Sequence, residues 1–189
     1  MIASKLFAAL CLVWLASELW LGWRRRSGDA ARTQDRGTLR LLLITIYACV
    51  ALAVWLSYRP WARYPPDLRA ILFWIGIVLM AGGMLFRGWA VRVLADYFTV
   101  DVTIRPDHQL IRQGPYRWLR HPSYTGALAT FYGFALALGN VWSLAAIVLP
   151  VTAAFLWRIR IEERALAEAF PAQYAQYSRE TRRLIPYVW

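Results

Sequence analysis

Three long apolar runs constrain this chain more than any other feature. Residues 2–23 are interrupted only by Ser4, Lys5, Ser17 and Glu18. Residues 39–57 carry no charge after Arg40, and residues 70–86 carry none. A helix needs about 20 apolar residues to cross about 30 Å of hydrocarbon. A surface helix of a soluble domain keeps a polar face, which these runs lack. Of the 189 residues, 59% are hydrophobic and 17% charged, against about 25% charged in a soluble domain. The chain reads as a multi-pass integral membrane protein.

The charges then set the topology. The net charge is +11, and 21 of the 22 basic residues are Arg. Arg24, Arg25, Arg26, Arg32, Arg36 and Arg40 crowd one short loop, whereas Arg59, Arg63 and Arg69 flank the next. Short basic loops stay in the cytoplasm, so the first loop lies inside and the N-terminus outside. The arginines sit between spans and not on a soluble face interleaved with aromatics, which argues against a nucleic-acid partner. Cys11 and Cys49 lie within apolar runs and fit neither a disulfide framework nor a zinc spacing. Lys5 is a weak basic start and the run behind it is long for a cleaved signal, so it reads as a retained span. The Ala- and Arg-rich, Lys-poor composition points to a bacterial cytoplasmic membrane.

Spans are expected at about 2–23, 40–57 and 69–94, with Pro60, Pro65 and Pro66 in a short outer turn. Residues 97–104 alternate apolar and polar with β-branched side chains, the pattern of a short strand. Pro106, Gly114 and Pro115 mark loops, in the longest polar stretch of the chain. Pro122 suits the first position of a helix reaching about residue 138. Gly139-Asn140 makes a tight turn, and a second helix runs over 141–170, kinked at Pro150 and leaving the membrane near Trp157-Arg158. The expected fold is all-α and membrane-integral, with about five transmembrane helices. The last two form a helical hairpin, with a cytosolic loop before it and a C-terminal cytosolic segment after it. Residues 1–94 form the three-helix N-terminal part and 95–189 the catalytic part.

Polar groups near a bilayer are expensive and each needs a reason. Four clusters stand out: Arg87 with Arg92; Asp107-His108-Gln109-Leu110; Gly114-Pro115-Tyr116 with the run 120–126; and Arg158 with Glu162 and Glu163. His121 precedes Pro122, at the N-cap of the expected helix, where free backbone N–H groups favour an anion. The plain alternative is that His121 only caps the helix. Arg158 and Glu162 share a helix face, and the plain alternative there is a solvated ion pair of at most about 1 kcal/mol.

The stretch from His108 to Gly126, with its Gly-Pro-Tyr at 114–116 and Arg-His-Pro-Ser-Tyr-Thr-Gly at 120–126, resembles the signature of the isoprenylcysteine carboxyl methyltransferase family. So does Glu162-Glu163, followed by Leu166, Phe170, Tyr174, Tyr177 and Pro186. The resemblance covers about residues 87–186. It implies an integral membrane enzyme that uses S-adenosylmethionine and faces the cytoplasm. By that resemblance, His108, Gln109, Leu110 and Ile111 lie along the methyl donor and Tyr116 contacts it. His121, Pro122, Ser123 and Tyr124 form the helix-start part of the cofactor site, Glu162 binds the cofactor, and Arg158 faces the acceptor group. The implied acceptor is a lipophilic small molecule or lipidated substrate presented among membrane lipids. No metal is implied, and no role is assigned to Asp101, Arg87 or Glu163. The nearest rival is a phospholipid or other lipid N-methyltransferase; a nicotinamide-dependent membrane reductase and a non-enzymatic scaffold are more distant. If the methyltransferase reading holds, segments 108–124 and 158–163 meet, and His121 and Glu162 open on one cavity.

Overall fold

In a computed structural model the chain is described over residues 2–24, 32–33, 37–97, 103–104 and 110–186. It forms helices α1 (Ile2–Arg24), α2 (Thr38–Ser57), α3 (Pro66–Leu94), α4 (Pro122–Ala137), α5 (Val141–Ala169) and α6 (Pro171–Glu180). The architecture is all-helical apart from a two-residue antiparallel pairing of β1 (Arg32–Thr33) with β2 (Thr103–Ile104). That pairing puts the loop after α1 and the segment after α3 at the same end of the bundle. Of the extended stretch expected over 97–104, residues 103–104 form β2, Tyr97 instead closes a 3-10 turn at the end of α3, and 98–102 lie outside the described residues. α3 begins at Pro66, earlier than 69, because a proline fits the first helical position and Asp67 suits the first turn.

α1, α2, α3 and α5 are long and apolar enough to cross a membrane. The fifth apolar helix, α4, has 16 residues and rises only about 24 Å. It tolerates that length because it is sheathed: Ala127, Leu128, Thr130, Phe131, Phe134 and Ala135 are all buried. Around it pack Leu42, Cys49 and Ala53 of α2, Met80 of α3 and Ile147, Val151, Phe155 and Ile159 of α5. The large apolar side chains left exposed, such as Leu12, Val78, Leu85 and Leu149, are those a bilayer solvates.

The α3–α4 contact is backbone on backbone. A Cβ at Gly83 would lie 2.6 Å from the Gly126 carbonyl oxygen, and one at Gly133 2.5 Å from that of Gly76. Lipid tails give no hydrophobic drive between helices, so small residues that allow close approach are what hold such pairs. α4 and α5 form the expected hairpin. Gly139 takes φ +71° in the turn, and the Asn140 side chain caps α5 by accepting from the Trp142 and Ser143 N–H groups at 2.9 and 3.2 Å. The same Asn140 donates to the Leu56 and Trp61 carbonyls, pinning the turn between α2 and α3. α5 continues through Pro150, and the Ser143 hydroxyl donates to the Ala53 carbonyl at 2.7 Å, joining α5 to α2.

Two adjacent glycines of α3 test this packing. Nothing lies within 4 Å of a Cβ at Gly82, whereas one at Gly83 collides with α4. Gly83→Ala is expected to cost about 1–3 kcal/mol. Gly82→Ala is expected to be neutral or stabilising, since alanine is the better helix former. Thermal unfolding of both variants in detergent checks the contrast.

Candidate active site

The site begins where α3 ends. Gly114 takes φ +56°, and a Cβ there would meet Val93 at 2.9 Å, so glycine fits where the loop returns across α3. The 3-10 turn Gly114–Arg117 that follows buries Tyr116. Its carbonyl accepts from the Tyr177 hydroxyl of α6 at 2.7 Å. The next residues form a strap with the C-terminal segment. The Arg120 N–H donates to the Arg182 carbonyl, His121 N–H to Arg183, and Arg182 N–H to Trp118. Thr125 adds a hydroxyl donation to the Leu184 carbonyl at 2.8 Å.

The strap delivers His121 to the start of α4 in a non-helical conformation, and its side chain makes no capping hydrogen bond. The capping alternative is therefore not what the ring does. It lies parallel to the Tyr124 ring, centroids 5.6 Å apart, between two acids of α5. Nδ1 is 3.7 Å from Glu162 Oε2 and Nε2 is 3.4 Å from Glu163 Oε1. The two glutamates face different surroundings. Glu163 accepts from Arg120 Nε at 2.9 Å and from Arg183 Nε at 3.0 Å, so it ties α5 to the strap. Glu162 lines an open cavity. Arg158, one turn earlier, is 2% exposed. Its Nε donates to the Tyr124 hydroxyl at 3.2 Å and its Nη1 to the Thr38 hydroxyl at 3.1 Å.

These groups surround a cavity of about 700 Å³. Its polar end is lined by Tyr116, His121, Ser123, Tyr124, Arg158 and Glu162, with Leu110 and Ile111 beside them. Apolar side chains of α1, α2, α4 and α5, among them Trp14, Ile46, Val50, Phe131 and Phe155, line the rest of it. Burial, then the Glu162 charge, holds the Tyr116 hydroxyl well above the usual tyrosine range, so it stays a neutral donor. Glu162 Oε2 and His121 Nε2 are buried without a hydrogen-bond partner among the described residues, a state that native proteins rarely leave unanswered.

Eight residues singled out from the sequence thus line one cavity, from two separated segments. Pro122 does not line it; it is buried and opens α4. His108, Gln109 and Asp101 lie outside the described residues. The motif stretches gave no sign of Glu18, Thr38 or the apolar lining. Glu18 had a signal of its own, as the one acid in the first apolar run.

The chain is similar to several known proteins. The family model for phospholipid methyltransferases matches residues 71–173. Protein-S-isoprenylcysteine O-methyltransferase B of Arabidopsis thaliana is 32% identical over 157 residues, 80% of this chain and 79% of the relative. The enzyme of that name from Saccharomyces cerevisiae is 34% identical over 116 residues, 60% of this chain and 48% of the relative. The structure of the eukaryotic intramembrane Ras methyltransferase, an isoprenylcysteine carboxyl methyltransferase, superposes with a TM-score of 0.66 at 31% identity, covering 75% of this chain and 52% of that one. The chain thus spans about half the length of the yeast relative and of the solved protein.

The contrast between the two glutamates is measurable in the fold alone. Glu163→Ala leaves Arg120 and Arg183 without their shared partner and is expected to cost about 1–3 kcal/mol of stability. Glu162→Ala removes a group with no hydrogen-bonded partner at Oε2 and is expected to leave the melting temperature within a few degrees, about 1 kcal/mol or less. Thermal unfolding in detergent without added ligand tells them apart.

Proposed function

The chain belongs to the isoprenylcysteine carboxyl methyltransferase family of membrane methyltransferases, and on that premise we propose that it transfers a methyl group from S-adenosylmethionine to the carboxylate of a lipophilic acceptor. The observation that carries this reading is the lining of the cavity. Charged and hydroxyl groups line it together with apolar side chains of α1, α2, α4 and α5.

The polar end fits the donor. Glu162, whose Oε2 is buried without a hydrogen-bond partner among the described residues, matches the ammonium or ribose hydroxyls that S-adenosylmethionine carries. When bound, S-adenosylmethionine supplies a methyl group on a positively charged sulfur. Glu162 holds a hydroxyl or amine of the donor, and the Tyr116 hydroxyl donates to it. Leu110 and Ile111 flank the donor, and His121, Ser123 and Tyr124, placed by Pro122, form its helix-start side. The family resemblance assigns His108 and Gln109 to the same donor. Arg158 holds the acceptor head, oriented by Tyr124 and Thr38.

An acceptor carboxylate, with a reference pKa of about 4, is already ionised at neutral pH. No residue has to remove a proton. The chain's work is to desolvate and align, and a buried guanidinium aligns a carboxylate through two parallel hydrogen bonds. The same fixed cation repels a protonated amine, which ranks a lipid N-methyltransferase second. The apolar lining suits a prenyl or acyl chain, on a small molecule or a lipidated protein. The arginine-rich inner loop supports placing the site at the cytoplasmic face of a bacterial membrane.

Donor affinity and turnover with a short prenylcysteine analogue separate the roles. Glu162→Ala is expected to weaken donor binding by about 1–3 kcal/mol. Arg158→Ala is expected to spare donor binding and stop transfer. Arg158→Lys restores only part of the rate, because an ammonium is a point charge. Full activity in Arg158→Lys would make Arg158 an interfacial anchor.

A further inference from the structure

Glu18 of α1 and Arg87 of α3 are charged side chains that the methyl-transfer reading leaves unused. They meet in a bidentate pair: Arg87 Nε donates to Glu18 Oε1 at 2.8 Å and Nη2 to Oε2 at 3.0 Å. Arg87 Nη1 also donates to the Ser123 carbonyl at 3.2 Å. One pair thus joins α1 to α3 and to the first turn of α4. Both side chains line the cavity. Ionisable groups inside membrane helices are costly and persist where they perform a task.

The task follows from how α1 is held. Most of the helix is exposed, and it packs sparsely on α3. Its outer half leans on rings. Phe7 stacks on Phe134 with centroids 5.8 Å apart, and Trp14 meets Phe131 edge-on at 4.8 Å. Its inner half carries the ion pair and, among the described residues, the packing of Leu21 on Val91 and Leu94. Yet Cys11, Trp14, Leu15, Leu19 and Gly22 of α1 form one wall of the cavity. A wall with weak apolar packing and one strong, directional polar contact can part from its neighbours and return to the same place.

We propose that the Glu18–Arg87 pair is the latch that holds α1 as the movable membrane-side wall of the cavity, and that Glu18 is a positioning residue for the lipophilic acceptor. This rests on the reading of the apolar lining as the acceptor's. Glu18 touches neither reactant; it acts through Arg87 on the placement of the wall.

The test uses the full chain in lipid nanodiscs. Nitroxide labels go on Leu12→Cys of α1 and Leu149→Cys of α5, both exposed and outside the cavity lining. The background replaces the two native cysteines, Cys11 and Cys49. Glu18→Gln is expected to broaden the label-to-label distance distribution. In the unlabelled protein it is expected to raise the KM for a prenylcysteine analogue by about tenfold, with donor affinity within about twofold. Glu18→Asp, which keeps the charge, falls between wild type and Glu18→Gln in both readouts. An unchanged distance distribution in Glu18→Gln overturns the latch. A broadened distribution with an unchanged acceptor KM overturns the role in acceptor placement. If the wild type binds no S-adenosylmethionine, the methyl-transfer reading fails, and the label distances still decide the latch.

Discussion

The close approach of α3 and α4 is the contact on which the rest of the molecule depends. Gly76 and Gly83 face Gly133 and Gly126 across it, with no room for a Cβ on either side. In a solvent of lipid tails, association comes from packing and interhelical hydrogen bonds, and backbone contact gives the greatest density of the former. The polar site gathers at the end of this pair where α4 starts. α4 starts there with His121, Ser123 and Tyr124, and α3 passes Arg87 beneath them. A shift of α4 along α3 would move the helix start relative to Glu162 and Arg158 on α5.

Charge is distributed in two tiers around that frame. The outer tier is closed on itself: Arg120, Glu163 and Arg183 satisfy one another and strap the C-terminal segment across the start of α4. The inner tier is open. Glu162 presents a buried oxygen with no hydrogen-bond partner among the described residues, while Arg158 is held by hydroxyl groups of Tyr124 and Thr38. A reaction between a sulfonium and a carboxylate removes one positive and one negative charge. It is helped by surroundings of low dielectric, where separated charges are costly. On the proposed reading, a cavity lined by both charged and apolar side chains supplies those surroundings.

Much of this was legible from the residues, for definite reasons. Span lengths follow from hydrocarbon thickness, and proline at 122 marks a helix start, whereas the prolines that open α3 and α6 read from the sequence as turn and tail residues. The two polar segments of the site are conspicuous because charge is scarce in such a chain. The apolar lining was not legible. Trp14, Ile46 and Phe155 are unremarkable members of apolar runs, and which of them face inward depends on helix rotation, which uniform apolarity does not encode. The strap of 182–183 on 118–121 is made of backbone hydrogen bonds, which any side chains allow. His121 carried two readings from its position before Pro122. Only its freedom from capping and its place between two glutamates separate them.

The chemistry of the transferred methyl group is the most direct test. Purified protein in lipid is given S-adenosylmethionine with a radioactive methyl group and, in parallel, a prenylcysteine analogue, a fatty acid or an amine-headed phospholipid. Mild alkali then treats the lipid product. Carboxyl transfer predicts label on the prenylcysteine analogue or the fatty acid that alkali releases as methanol. Label appearing only on the amine headgroup and surviving alkali would contradict carboxyl transfer and make the enzyme an N-methyltransferase.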